Sequence, residues 1–150
     1  MRMIRLPRSD DTFALGEALG RSVEPGTVIA VRGDLGAGKT LLAKGIGAGL
    51  AVPTSVQSPT YVIVHLHPSG RLPLWHADLY RLSGEEELEQ LGVDEAIEGD
   101  GVVVIEWPDR VEGWLPADRL DILLEHDGEG RVATLSATGP RHRVLEAVDV

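Results

Sequence analysis

The segment that most limits what this chain can fold into is "TVIAVRGDLGAGKT", residues 27–40. Thr27–Val31 is a continuous apolar, β-branched run, the pattern of a strand covered on both faces. It leads into Gly33, Asp34, Leu35, Gly36, Ala37, Gly38, Lys39 and Thr40, a complete G-x-x-x-x-G-K-[ST] match. Each residue type has a physical reason. Glycines let backbone N–H groups curl around an oxyanion with no Cβ in the way. A helix that begins at the loop adds its positive N-terminal end. The Lys39 ammonium reaches the β- and γ-phosphates of a nucleoside triphosphate, and the Thr40 hydroxyl ligates Mg²⁺. Such a loop needs a buried strand before it and a helix after it, which commits the chain to an α/β fold.

The rest of the chain alternates accordingly. Ile4–Pro7 reads as a short edge strand. Ser9, Asp10 or Asp11 caps a helix that runs to about Val23, where "EPG" stops it. The helix after the loop runs from Lys39 to about Leu50, and its Gly45, Gly47 and Gly49 are poor helix formers whose presence points to close packing against the sheet. "TYVIVHLH" and "RLPLWHADLYRL" flank the turn "PSG" as two strands. Ser83 and Glu86 form a capping box ahead of the helix "EELEQLGVDEAI". "GVVVIEW" is a second fully apolar strand, and "RLDILLEH" and "RVATLSAT" flank "DGEG" as a hairpin. There is no repeat and no linker that divides the chain. The expected architecture is one domain over residues 1–150, a three-layer α/β sandwich with a mainly parallel sheet and antiparallel additions. Residues 139–150 are expected as a loose helix or an unstructured end.

Composition narrows the function. A chain of 150 residues hides roughly 70% of its unfolded surface and stands without disulfides. It contains no cysteine, which suits a reducing cytoplasm. "MRMIRLPRSDD" has no apolar run after its arginines, so no signal peptide is expected, and no stretch approaches the ~18 apolar residues of a membrane span. Fourteen basic side chains against 24 acidic ones give a net charge of −10. Such a chain does not draw nucleic acid by its bulk field, so a role on RNA implies a partner that holds the RNA.

A phosphate loop of this kind needs a carboxylate at the end of a neighbouring buried strand to complete the metal shell. "VVVIEW" offers Glu106, without the usual Asp before it. Asp78 ends the apolar-rich "LWHAD"; it could orient or deprotonate an attacking water, ligate Mg²⁺ through water, or simply pair with Arg81. Thr60 in "SPTY", about twenty residues past the loop, fits either a γ-phosphate-sensing switch threonine or an ordinary strand start. His65, His67 and His76 have no cysteine or helical HxxxH to support a metal site and read as partly exposed strand histidines. "EEELEQ" reads as a solvated helix face.

Three kinds of phosphate-loop protein can be tested on the letters. The chain has no asparagine, which excludes the Asn-Lys-x-Asp guanine reader of Ras-type GTPases. "LSGEEELEQ" begins like a transporter-ATPase signature and then fails. An arginine-rich kinase lid is missing, because the residues after "DLYRL" are acidic. "GDLGAGKT", "VQSPTYVIV", "HADLYRL" and "VIEWPDR" followed by "LP", in that order and spacing, resemble the TsaE (YjeE) family over nearly the whole chain. The resemblance implies an ATPase required for threonylcarbamoyladenosine modification of tRNA. It implies work with a TsaB–TsaD pair, contact with tRNA only through that complex, and ATP with Mg²⁺ as cofactors. On the family pattern Lys39 holds phosphate, Thr40 and Glu106 hold Mg²⁺, Asp78 supports hydrolysis, and Trp107 lies beside the metal carboxylate. The base lies between the N-terminal segment and the last hairpin, which points to Ser9, Thr12 and Arg131.

Overall fold

A computed structural model describes residues 1–53, 64–82 and 85–150. In chain order the elements are β1 (Arg2–Leu6), α1 (Ser9–Ser22), β2 (Val28–Arg32), α2 (Lys39–Gly49), β3 (Val64–His67), β4 (Leu74–Asp78), α3 (Glu85–Leu91), α4 (Val93–Glu98), β5 (Val102–Glu106), a 3₁₀ segment (Pro108–Trp114), β6 (Leu120–Asp127), β7 (Gly130–Ala137) and a second 3₁₀ turn (Arg143–Ala147). The strands form one seven-stranded sheet in the order β1-β7-β6-β2-β5-β4-β3. Its centre is parallel: β2 pairs with β5 and β6, and β5 with β4. Antiparallel strands close both edges, β7 and β1 on one side and β3 on the other.

The two fully apolar runs become the two central strands because only there are both faces covered. Alternation along β2 divides the core. Ile29 and Val31 join Leu15 and Leu19 of α1 and Leu42 and Ile46 of α2 on one face. Val28 and Ala30 join Val93 and Ala96 of α4 and Val111 on the other. This is the expected three-layer sandwich, and it puts the ends of β2, β4 and β5 side by side: Val31 lies opposite Glu106, and Glu106 opposite Asp78.

Three local readings change. Gly45 and Gly49 do not serve contact with the sheet. A Cβ on Gly45 would lie 2.3 Å from the Phe13 carbonyl oxygen, one on Gly49 2.3 Å from that of Glu17, and one on Gly16 2.4 Å from that of Leu42. The partner is therefore helix α1, which meets α2 backbone to backbone. The helix expected across "EELEQLGVDEAI" is two helices, because Gly92 between them is left-handed at φ +76°. Ser83 of the expected capping box lies outside the described residues. At α1 the carboxylate of Asp11, already inside the first turn, accepts the Arg8 N–H at 2.9 Å.

The C-terminal residues are not loose. Leu145 and Val148 are buried in the α1/α2 face of the core. His142 Nε2 accepts the Val28 N–H at 3.0 Å, while its Nδ1–H donates to Asp118 at 2.9 Å. Glu146 accepts the Ala137 N–H at 2.6 Å and the N-terminal ammonium at 3.1 Å. These bonds hold the Asp118 and Glu146 carboxyls below their ordinary values. For Asp118 desolvation pulls the other way and is outweighed by the Arg141 N–H and the His142 ring; for Glu146 the Ala137 N–H is the main cause.

Candidate active site

The loop after β2 turns on two left-handed glycines, Gly36 at φ +77° and Gly38 at φ +100°, before α2 starts at Lys39. Gly33 sits where a Cβ would lie 2.6 Å from the Leu124 carbonyl oxygen, so the loop can leave the sheet only with glycine there. Asp34, Leu35 and Gly36 are exposed at the mouth and Ala37 is buried beneath them.

A cavity of about 300 Å³ opens over this loop, lined by Leu35, Gly36, Gly38, Lys39, Thr40, Leu41, Asp78, Glu106 and Trp107. The parallel register explains its composition, since β4 and β5 end level with each other and deliver Asp78 and Glu106 to one rim. The Thr40 hydroxyl lies 3.1 Å from Glu106 Oε1 and 3.3 Å from Oε2. A hydroxyl and a carboxylate at this separation are hard oxygen donors suited to Mg²⁺. Asp78 Oδ1 accepts the Tyr80 N–H at 3.1 Å, which fixes the carboxylate at the strand end.

Lys39 is 5% exposed. Its ammonium donates to the carbonyls of Gly33 (2.6 Å) and Asp34 (2.9 Å) and lies 4.2 Å from the centre of the Trp107 ring. Burial lowers its pKa from the ordinary lysine value, against the opposing pull of Glu106, Asp78 and Asp34. Trp107 has a left-handed backbone at φ +59°, an outlier for a bulky residue that costs on the order of 1–3 kcal/mol. That turn lays the indole over Lys39 and 4.9 Å from the Tyr80 ring. Arg32, one residue before Gly33, braces the segment behind it by ion pairs to Asp109 (2.7 Å) and Glu112 (2.5 Å).

A second cavity, about 180 Å³, continues from Gly38 and Leu41 toward β1 and the β6–β7 turn. Its walls include Ser9, Thr12 and Arg131, the three residues named for the base, together with Leu6 and Arg8. Arg131 also grips the loop from outside: Nε donates to the Ala37 carbonyl at 3.2 Å and Nη2 to that of Gly36 at 3.0 Å. Turning these carbonyls outward favours the inward-facing amides that an anion needs. Thr60 lies outside the described residues.

One site residue escaped the sequence reading. His65 and His67 are half-buried strand residues, as expected, but His76 is fully buried and its Nε2 lies 2.5 Å from Glu106 Oε2. The signal was the alternation in "HAD": His76 shares its strand face with Asp78, one step deeper. Among the described residues no group of three or more His, Asp or Glu side chains is arranged to hold a metal by itself.

The family model described as "Threonylcarbamoyl adenosine biosynthesis protein TsaE" matches residues 6–133. The chain belongs to the TsaE family. It is 39% identical to the tRNA threonylcarbamoyladenosine biosynthesis protein TsaE of Bacillus subtilis over 142 residues, covering 94% of this chain and 89% of that one. The TsaE of a Nostoc species is 40% identical over 134 residues, covering 87% of this chain and 82% of its own length. A crystal structure of Bacillus subtilis YdiB superposes with a TM-score of 0.84 at 34% identity, covering 96% of this chain and 90% of that one. Membership ties the chain to tRNA threonylcarbamoyladenosine biosynthesis. No helix among the described residues is long and apolar enough to cross a membrane.

Proposed function

We propose that the chain is a Mg²⁺-dependent ATPase of the cytoplasm that hydrolyses ATP when bound to a TsaB–TsaD pair and resets that pair between rounds of tRNA modification. The observation that carries this is the convergence of Lys39, Thr40, Asp78 and Glu106 on one cavity, beside a second suited to the base. A complete triphosphate site of this kind suits hydrolysis used to change a protein partner. The net charge of −10 favours a partner, not this chain, as the holder of the tRNA.

In this scheme the loop amides and the N-terminus of α2 cradle the phosphates, and Lys39 leaves the Gly33 and Asp34 carbonyls for the β- and γ-phosphates. Thr40 and Glu106 hold Mg²⁺, which neutralises charge that builds on the phosphate oxygens. Asp78 orients the attacking water or accepts its proton as the water oxygen bonds to the γ-phosphorus and the bridging P–O bond to ADP breaks. Ser9, Thr12 and Arg131 form the surroundings of the base, and Trp107 packs along the phosphate site.

ATP hydrolysis by the purified chain, alone and with its TsaB–TsaD pair, tests this, with Lys39→Ala as the blank. Slow turnover alone and a clear rise with the pair are expected. Equal rates with and without the pair would remove the partner-driven role and direct attention to a small-molecule phosphoryl acceptor.

A further inference from the structure

We propose that His76 is a positioning residue: its Nε2–H holds Oε2 of Glu106 so that the carboxylate faces the Thr40 hydroxyl and the cation the two would share. The proposal rests on the Mg²⁺-nucleotide function above. Glu106 is 2% exposed at the end of β5, and a carboxylate so enclosed is tolerated only when its oxygens are hydrogen-bonded. Oε2 lies 2.5 Å from His76 Nε2, and the Thr40 hydroxyl lies 3.1 Å from Oε1 and 3.3 Å from Oε2. The carboxylate is thus gripped from the interior by β4 and presented outward to the first turn of α2.

Among the described residues His76 has no other hydrogen-bond partner. It is 0% exposed, and its Nδ1 has no hydrogen-bond partner among the described residues. Burying an imidazole with one nitrogen unpartnered is costly, and an apolar residue would fill the same place in β4 without that cost. What the imidazole supplies in exchange is one donor at a fixed distance from the strand. The register sets that distance: His76 lies opposite Val104, two residues before Glu106 on β5, so the ring reaches diagonally along the sheet to the carboxylate. Partners of metal ligands that lie behind the ligand shell orient it, and their loss costs on the order of 10–100-fold in metal affinity.

The test is the Mg²⁺ dependence of nucleotide binding, measured with the fluorescent analogue mant-ATP at increasing MgCl₂. The MgCl₂ concentration for half-maximal tightening should rise on the order of tenfold in His76→Leu, while mant-ATP affinity in EDTA stays within about threefold of the wild type. His76→Gln and His76→Asn separate positioning from packing. Gln carries an amide N–H at the distance of Nε2 and should keep the wild-type Mg²⁺ requirement; Asn carries it one bond short and should behave as Leu. If Leu does not fold, the Gln–Asn difference decides alone. Equal Mg²⁺ requirements for wild type and His76→Leu, or Gln and Asn shifted alike, would overturn the proposal. Wild-type binding that ignores Mg²⁺ altogether would instead overturn the Mg²⁺-nucleotide function, and this proposal with it.

Discussion

Gly45→Ala should destabilise the protein although alanine is the better helix former. The new methyl would lie 2.3 Å from the Phe13 carbonyl oxygen where ordinary contact begins at 3.4 Å, a deficit of about 1.1 Å. The obstacle is backbone, so no rotamer change relieves it, and α1 and α2 must part by about an ångström. Inserting a methyl group into a close-packed interface costs roughly 1–3 kcal/mol, and a rigid obstacle belongs at the upper end. Removing a helix-interior glycine returns about 1 kcal/mol. The net is about 2 kcal/mol, or a fall in Tm of roughly 4–8 °C for a domain of this size. Thermal melting and urea unfolding, followed by circular dichroism, measure it. Gly113→Ala is the control, since nothing lies within 4 Å of its Cβ position and its backbone is ordinary; it should stay within about 0.5 kcal/mol. Gly16→Ala faces the same seam, with its Cβ 2.8 Å from Gly45 Cα, so the double variant should lose less than the two single losses combined. A Gly45→Ala protein that melts at or above the wild-type temperature would refute backbone contact between the helices.

Asp78→Asn should lower ATP turnover by roughly 10²–10⁴-fold while leaving mant-ATP affinity within about threefold, because the amide keeps the shape but loses the charge proposed to orient the water or take its proton; stopped-flow or steady-state phosphate release checks it. Nucleotide that draws Lys39 off the Trp107 ring should change tryptophan emission, with the change lost in Trp107→Phe and kept in Trp114→Phe. Val28 loses the His142 acceptor in His142→Ala, and a buried N–H left unpaired costs roughly 1–3 kcal/mol, readable as a lower urea midpoint. For Glu146 the folded pKa lies below the unfolded one, so its stabilisation is present above about pH 4.3 and is lost as pH falls through the folded value. Wild type should therefore melt above Glu146→Gln at pH 7, with the gap closing as the pH falls below the ordinary carboxyl value.

Much of the fold was legible because it follows from local patterns. The buried runs at Thr27–Val31 and "GVVVIEW" had to be central strands, and the loop between β2 and α2 fixed the layer order. Lys39, Thr40, Asp78 and Glu106 were legible for the same reason, since strand ends in a parallel sheet come together at one edge. What was not legible depends on pairs far apart in sequence. Glycine says that something approaches closely, but not what, and α1 instead of the sheet fills the space beside Gly45. His76 resembled its neighbours His65 and His67 until the register of β4 on β5 set it against Glu106. The tail is short, and it is ordered by burial of Leu145 and Val148 and by contacts across the chain to Val28, Asp118, Ala137 and the N-terminus.

One local and one long-range set of contacts explain why the phosphate loop is shaped before any ligand arrives. Lys39 satisfies two of the loop's carbonyls from inside, Gly33 and Asp34, and Arg131 satisfies two from outside, Gly36 and Ala37. A loop so held has little conformational entropy left to lose on binding. Lys39 can exchange carbonyl acceptors for phosphate oxygens, and the exchange favours phosphate because a charged acceptor bonds the ammonium roughly twice as strongly as a neutral one. Arg131 need not move, because its grip is on the outer carbonyls. The two cations therefore have different roles, and their variants should differ in kind. Lys39→Ala should abolish mant-ATP binding outright. Arg131→Ala should weaken it through a looser loop, with faster amide hydrogen exchange at residues 34–38 of the free protein. Unchanged exchange there in Arg131→Ala, with the same loss of affinity, would mean that Arg131 acts on the nucleotide directly and not through the loop.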